Sequence, residues 1–76
     1  MNGTVAIKIG SNIRKLREAA NITQAELATR MQTAGCDLTR GTIAKIETGL
    51  RYIYPDEMIL LKDILGASYD EILDMR

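Results

Sequence analysis

Hydrophobic positions recur along the chain at spacings of three and four, and that rhythm predicts helices. Ile9, Ile13, Leu16 and Ala20 share one face of a helix over about 9–20, with Lys8, Arg14, Lys15 and Arg17 on its other faces. Ahead of it, Val5, Ile7 and Ile9 alternate as in a short strand, whereas Val5, Ile9 and Ile13 would continue the helix. Residues 1–8 are therefore read as an N-terminal arm whose form stays open. Asn21 breaks the first helix. Thr23-Gln24-Ala25-Glu26 is a capping box: the Thr23 hydroxyl takes the amide proton of Glu26, and the Glu26 carboxylate takes that of Thr23. It opens a second helix that buries Leu27, Ala28 and Met31 and stops near Gly35.

After a Cys36-Asp37-Leu38 loop, Thr39 caps a short third helix through about Thr48, ended by Gly49, with Ile43 and Ile46 inward. Leu50 to Tyr54 is a connector. Pro55 opens a fourth helix, where its missing amide proton costs nothing, and Asp56 and Glu57 complement the helix dipole. Met58, Leu61, Ile64 and Leu65 form its buried stripe, and Gly66 ends it. Ser68-Tyr69-Asp70-Glu71 is a second capping box that starts a fifth helix with Ile72 and Leu73 inside. The pattern fills residues 9–76, so the expected fold is all-α: one compact domain of five short helices.

Composition changes this picture mainly by exclusion. With three Tyr and no Phe or Trp, the core must be aliphatic, built from Ile, Leu, Met and Ala. There is no His, which removes His-based triads, most zinc sites and the usual general acid–base group. Cys36 is the only cysteine, so neither an internal disulfide nor a cysteine metal cluster is possible. Neither Ser11 nor Ser68 has an obvious base beside it. The longest apolar run, Met58 to Leu61, is far too short to span a bilayer, and the start of the chain lacks a signal-peptide pattern. These features predict a cytoplasmic protein that is not an enzyme, with no cofactor, no metal and no small-molecule ligand.

Charge adds a direction. The total is zero, yet residues 1–52 carry eight basic and four acidic side chains, a net +4, and residues 53–76 carry two and six, a net −4. A basic front and an acidic tail suit a protein that turns one face to a polyanion, although both halves could be plain solvated surface. The third helix sharpens the choice. At 100° per residue, Ile43 and Ile46 point one way with Glu47 beside them. Gly41, Ala44, Lys45 and Thr48 point the other way, with Thr42 on one flank and Arg40 on the opposite flank. The major groove of B-DNA admits one such helix, where Arg or Lys can donate to guanine and a Thr methyl can touch thymine. Arg40, Gly41, Thr42 and Lys45 are the candidate base contacts. Gln24 and Thr23 at the start of the second helix, with Thr48, Arg51 and Tyr52 around the glycine turn, are the candidate phosphate contacts.

The runs Ile9-Gly10-Ser11-Asn12-Ile13-Arg14-Lys15-Leu16-Arg17, Thr23-Gln24-Ala25-Glu26-Leu27-Ala28 and Thr42-Ile43-Ala44-Lys45-Ile46-Glu47-Thr48-Gly49 together resemble the phage-repressor and Cro-type helix-turn-helix family, also called XRE-like. Residues 61–73 resemble its last two helices. The resemblance implies a lambda-repressor-like five-helix domain that binds double-stranded DNA, represses or regulates transcription, and works as a homodimer. It implies a recognition surface at Arg40, Gly41, Thr42 and Lys45, a phosphate contact at Gln24, and a small residue, Ala28, where helices two and three cross. It also implies an ion pair between Arg17 and Glu47; read from the residues alone, these could be two solvated charges. The family's turn between helices two and three is tight, whereas here 31–38 separates Arg30 from Thr39, so either helix two is longer or the turn is a loop anchored by Leu38. The dimer contact is expected on the last helices, at Tyr69, Ile72, Leu73 and Met75. A competing reading is a protein-interaction module, antitoxin-like or a phage accessory protein, suggested by the zero net charge and the acidic tail.

Overall fold

The computed structural model describes residues 3–76, and among them every regular element is helical. The elements are α1 (Gly3–Ala19), α2 (Gln24–Thr33), α3 (Arg40–Glu47), α4 (Pro55–Leu65) and α5 (Tyr69–Ile72). Helix α1 begins well ahead of Ile9, so the segment that sequence left between strand and helix is helical from Gly3; residues 1 and 2 of the expected arm lie outside the described residues. Packing decides the matter: Ala6 is buried, and the backbone of Ile7 lies against Gly49. At the other end Asn21 takes a left-handed conformation (φ 59°), which leaves Ala20 exposed in the turn instead of on the helix face.

The helix starts follow their caps. Thr23 accepts from the Glu26 amide at 3.0 Å while its own amide donates to the Glu26 carboxylate at 3.4 Å. Thr39 accepts from the Thr42 amide at 3.2 Å, and Ser68 from the Glu71 amide at 3.1 Å. Each such cap satisfies an amide left without a helical acceptor, worth about 1 kcal/mol. Gly35, Gly49 and Gly66 all have positive φ, following α2, α3 and α4.

Ile13, Leu27, Met31, Ile43, Ile46, Leu61 and Ile72 are the fully buried large side chains, so the core is aliphatic. Leu38 joins it from the α2–α3 loop and is tethered by Gln32, whose Nε2 donates to the Leu38 carbonyl at 2.8 Å. The extra length between α2 and α3 is thus a real loop over 34–39, pinned at its far end. Three inward assignments change. Leu73 follows α5 as its cap and is exposed, and Met58 and Ile64 are half-buried at the core's margin. Ile72 is fully buried against the chain's own core, so it cannot serve as a dimer contact; the four-residue helix leaves only that one position facing inward.

Candidate nucleic-acid interface

Helix α3 is seated by its neighbours in a fixed rotation. Ile43, at 1 % exposure, and Ile46 enter the core, and Glu47 is buried beside them. Behind it, Gly10 of α1 meets the carbonyls of Ile46 and Glu47 so closely that any Cβ there would collide with backbone. A glycine inside a helix costs ~1 kcal/mol relative to alanine, and here it allows α1 and α3 to touch. Arg17 of α1 then reaches across: its Nε donates to Glu47 Oε2 at 2.6 Å and its Nη2 to Oε1 at 3.1 Å, while Nη1 donates to the Ile22 carbonyl at 2.9 Å. The hydrogen bond to Glu47 raises the Arg17 pKa further, against the opposing effect of burial, so the guanidinium stays charged. Gln24, the first residue of α2, donates from Nε2 to Glu47 Oε1 at 3.0 Å. Glu47 therefore joins α1, α2 and α3 at one carboxylate.

The opposite face of α3 is open. Arg40, Gly41, Lys45 and Thr48 are exposed, and Thr42 and Ala44 are half-buried on its flanks. Among the described residues neither Arg40 nor Lys45 has an acidic partner. A Cβ at Gly41 would meet nothing closer than the Thr39 hydroxyl at 3.7 Å, so the backbone there is approachable from outside. The Thr42 hydroxyl lies 3.0 Å from that of Thr39, which leaves its methyl as the part able to meet a base.

The expected backbone-contact residues divide. Thr23 is exposed and its hydroxyl, though accepting from Glu26, still has a proton to donate. Gln24 keeps a second amide proton beside the one given to Glu47. Thr48 is exposed, but its hydroxyl donates back to the Ala44 carbonyl at 3.1 Å. Arg51 is committed within the chain: Nη1 and Nη2 donate to the two oxygens of Glu57 at 2.8 and 2.9 Å, Nη1 also to the Tyr52 carbonyl, and the guanidinium stacks 4.6 Å from the centre of the Tyr54 ring. Glu57 is buried and also accepts from the Tyr54 amide at 2.9 Å; these bonds, Arg51 first, hold its carboxyl below the usual carboxylate range.

Nothing in the sequence signals the tertiary contacts made by Gly10, Glu57 and Asn12. Asn12 is buried in α1 and its Nδ2 donates to the carbonyls of Ile72 and Asp74 at 2.9 and 2.8 Å, which fixes α5 to α1. Cys36 is half-buried in the α2–α3 loop, where burial pushes its thiol up, away from reactivity. Among the described residues no cluster of His, Cys, Asp or Glu is placed to hold a metal, and no helix is long and apolar enough to cross a membrane.

No curated protein and no solved structure matches the chain. A helix-turn-helix family profile does, over residues 13–72, the span from the middle of α1 to the end of α5. With α2 capped at Thr23, α3 seated on Ile43 and Ile46, and a polar face left open, this chain belongs to the XRE-type helix-turn-helix family and is a DNA-binding domain.

Proposed function

We propose that the protein is a sequence-specific regulator of transcription, a repressor, that lays α3 in the major groove of double-stranded DNA as a homodimer. The observation that carries this reading is the rotation of α3: its two isoleucines and Glu47 are buried while Arg40, Gly41 and Lys45 stand open. In this reading Arg40 and Lys45 donate to guanine edges, the Thr42 methyl meets thymine, and Gly41 lets the helix approach closely. Thr23 and Gln24, at the positive end of α2, hold one phosphate. Around the glycine turn the phosphate role falls to Tyr52, while Thr48 keeps its hydroxyl proton on the Ala44 carbonyl and Arg51 orients the connector through Glu57. Two copies read half-sites about one helical turn, ~34 Å, apart.

Selection from random duplexes by the purified protein, followed by anisotropy titration, tests this. The expected outcome is a two-fold symmetric site whose affinity falls steeply with salt, because each neutralised phosphate releases counterions. Lys45→Ala should lose ~1–3 kcal/mol on the selected site and relax preference at one base position. Thr23→Ala should weaken all sequences alike. A protein that enriches no sequence and binds no duplex at low salt overturns the reading.

A further inference from the structure

The start of α3 holds two hydroxyls in contact. Thr39 lies just ahead of the helix in extended backbone (φ −93°, ψ 166°) and is exposed, and Thr42 is half-buried on the flank one turn along. The Thr42 amide donates to Thr39 Oγ1 at 3.2 Å, so the cap takes one lone pair of that oxygen. The two hydroxyl oxygens are themselves 3.0 Å apart, and either proton can make the bond between them. In both cases Thr42 Oγ1 is turned toward Thr39. A threonine in a helix divides between two χ1 rotamers when nothing selects one, because its hydroxyl has more than one place to go. Here the capping residue selects. Gly41 keeps the pair uncovered, since a Cβ there would have only the Thr39 hydroxyl, at 3.7 Å, within van der Waals reach.

We propose that Thr39 is a positioning residue for base choice: its hydroxyl holds Thr42 in the one rotamer that presents the methyl group, so that α3 reads the C5 position of a pyrimidine at this point. The inference rests on the duplex-reading function given above and adds to it a residue that works through another. A freely turning Thr42 offers either a hydroxyl or a methyl. The hydroxyl pairs with acceptors on several bases, whereas the methyl favours a base that carries a methyl of its own. With its oxygen committed to Thr39, Thr42 offers the methyl. The choice made at this point is then between a pyrimidine with a C5 methyl and one without. Thymine and 5-methylcytosine satisfy it; uracil and cytosine do not. One buried carbon is at stake, about fourfold in affinity.

The test rebuilds the selected duplex with deoxyuridine in place of each thymidine in turn and titrates it by anisotropy. In the wild type one position should lose about fourfold on this exchange, and Thr42→Ser should abolish that penalty, which identifies the base that Thr42 meets. Built as cytosine, the same position should gain about fourfold from 5-methylcytosine. Thr39→Gly keeps most of the capping energy but removes the oxygen. It should shrink the penalty at that position to about twofold or less, because Thr42 then divides between its rotamers, and leave penalties elsewhere unchanged. A ratio at one position cancels any general loosening of α3, which is all that a purely structural role would produce. Thr39→Ser keeps the hydroxyl and should restore the full penalty. Adding Thr42→Val to Thr39→Gly should restore it as well, since valine presents a methyl in either rotamer. Three outcomes overturn the proposal: a full penalty in Thr39→Gly, a lost penalty in Thr39→Ser, which would put the methyl of Thr39 itself on the base, or a wild-type site with no position whose methyl response depends on Thr42. A wild type that binds no duplex overturns the duplex-reading function itself, and this inference with it.

Discussion

Two arginine–glutamate pairs of nearly the same geometry do different work in this molecule. Arg17 and Glu47 stand 30 residues apart and join α1 to α3, with the carboxylate buried and shared with Gln24. Arg51 and Glu57 stand six apart and shape the connector and the start of α4, with the guanidinium more open and stacked on Tyr54. The first sets where α3 sits. The second sets how the chain leaves it. A buried pair adds little when intact compared with a well-packed apolar substitute, but losing one partner strands the other in poor solvent. The cost of cutting each pair therefore reports how much of the tertiary arrangement depends on it.

The largest separation should come from Glu47→Ala, which leaves Arg17 beneath α3 without its partner. A loss of ~3–5 kcal/mol in urea unfolding is expected, together with lost DNA affinity. A loss below about 1 kcal/mol would place this pair with ordinary surface bridges and break the comparison. Gly10→Ala tests the same junction without touching charge. Its methyl meets backbone carbonyls of α3 that cannot swing aside, so α1 must shift, at ~1–3 kcal/mol by the same measurement. Glu57→Gln should cost less, ~1–2 kcal/mol, because Gln can still accept from the Tyr54 amide. It should also flatten the acid limb of the stability profile. The Glu57 carboxyl is held low when folded, so its contribution is complete above the ordinary glutamate pKa of the unfolded chain and is lost as pH falls through the lower folded value. Wild type should therefore lose stability below that pH more steeply than Glu57→Gln in urea titrations run at successive pH. The smallest effect belongs to Glu18→Ala: the exposed Arg14–Glu18 pair at 3.6 Å should contribute less than about 0.5 kcal/mol, and that only at low salt.

The same contrast explains what could be read from the chain. Capping boxes at Thr23 and Ser68, the Thr39 cap and the glycine stops are local chemistry, and the structure has helices starting and stopping where they indicate. The inward turn of Ile43 and Ile46 followed from spacing alone, and with it the open face of α3. The association of Arg17 with Glu47 needed a family likeness, because nothing in local sequence joins residues 30 apart. Arg51 was read as a phosphate ligand because a cation after a glycine turn suits one; that Glu57 stands within its reach depends on how Pro55 starts α4. Gly10 and Asn12 were silent for a related reason. One matters for an atom it lacks and the other for two carbonyls more than 50 residues away. Helix α5 was misjudged at Leu73 because a single turn gives no period to read, whereas Ile72 is buried as its pattern indicated.

Leu38 has a consequence for engineering. Since it is clamped into the interior and Thr39 caps α3 immediately afterwards, the exposed Ala34, Gly35 and Asp37 ahead of it lie like rope before a cleat. Lengthening that rope should leave α3 undisturbed, which makes this exposed bend the natural place to graft an affinity peptide.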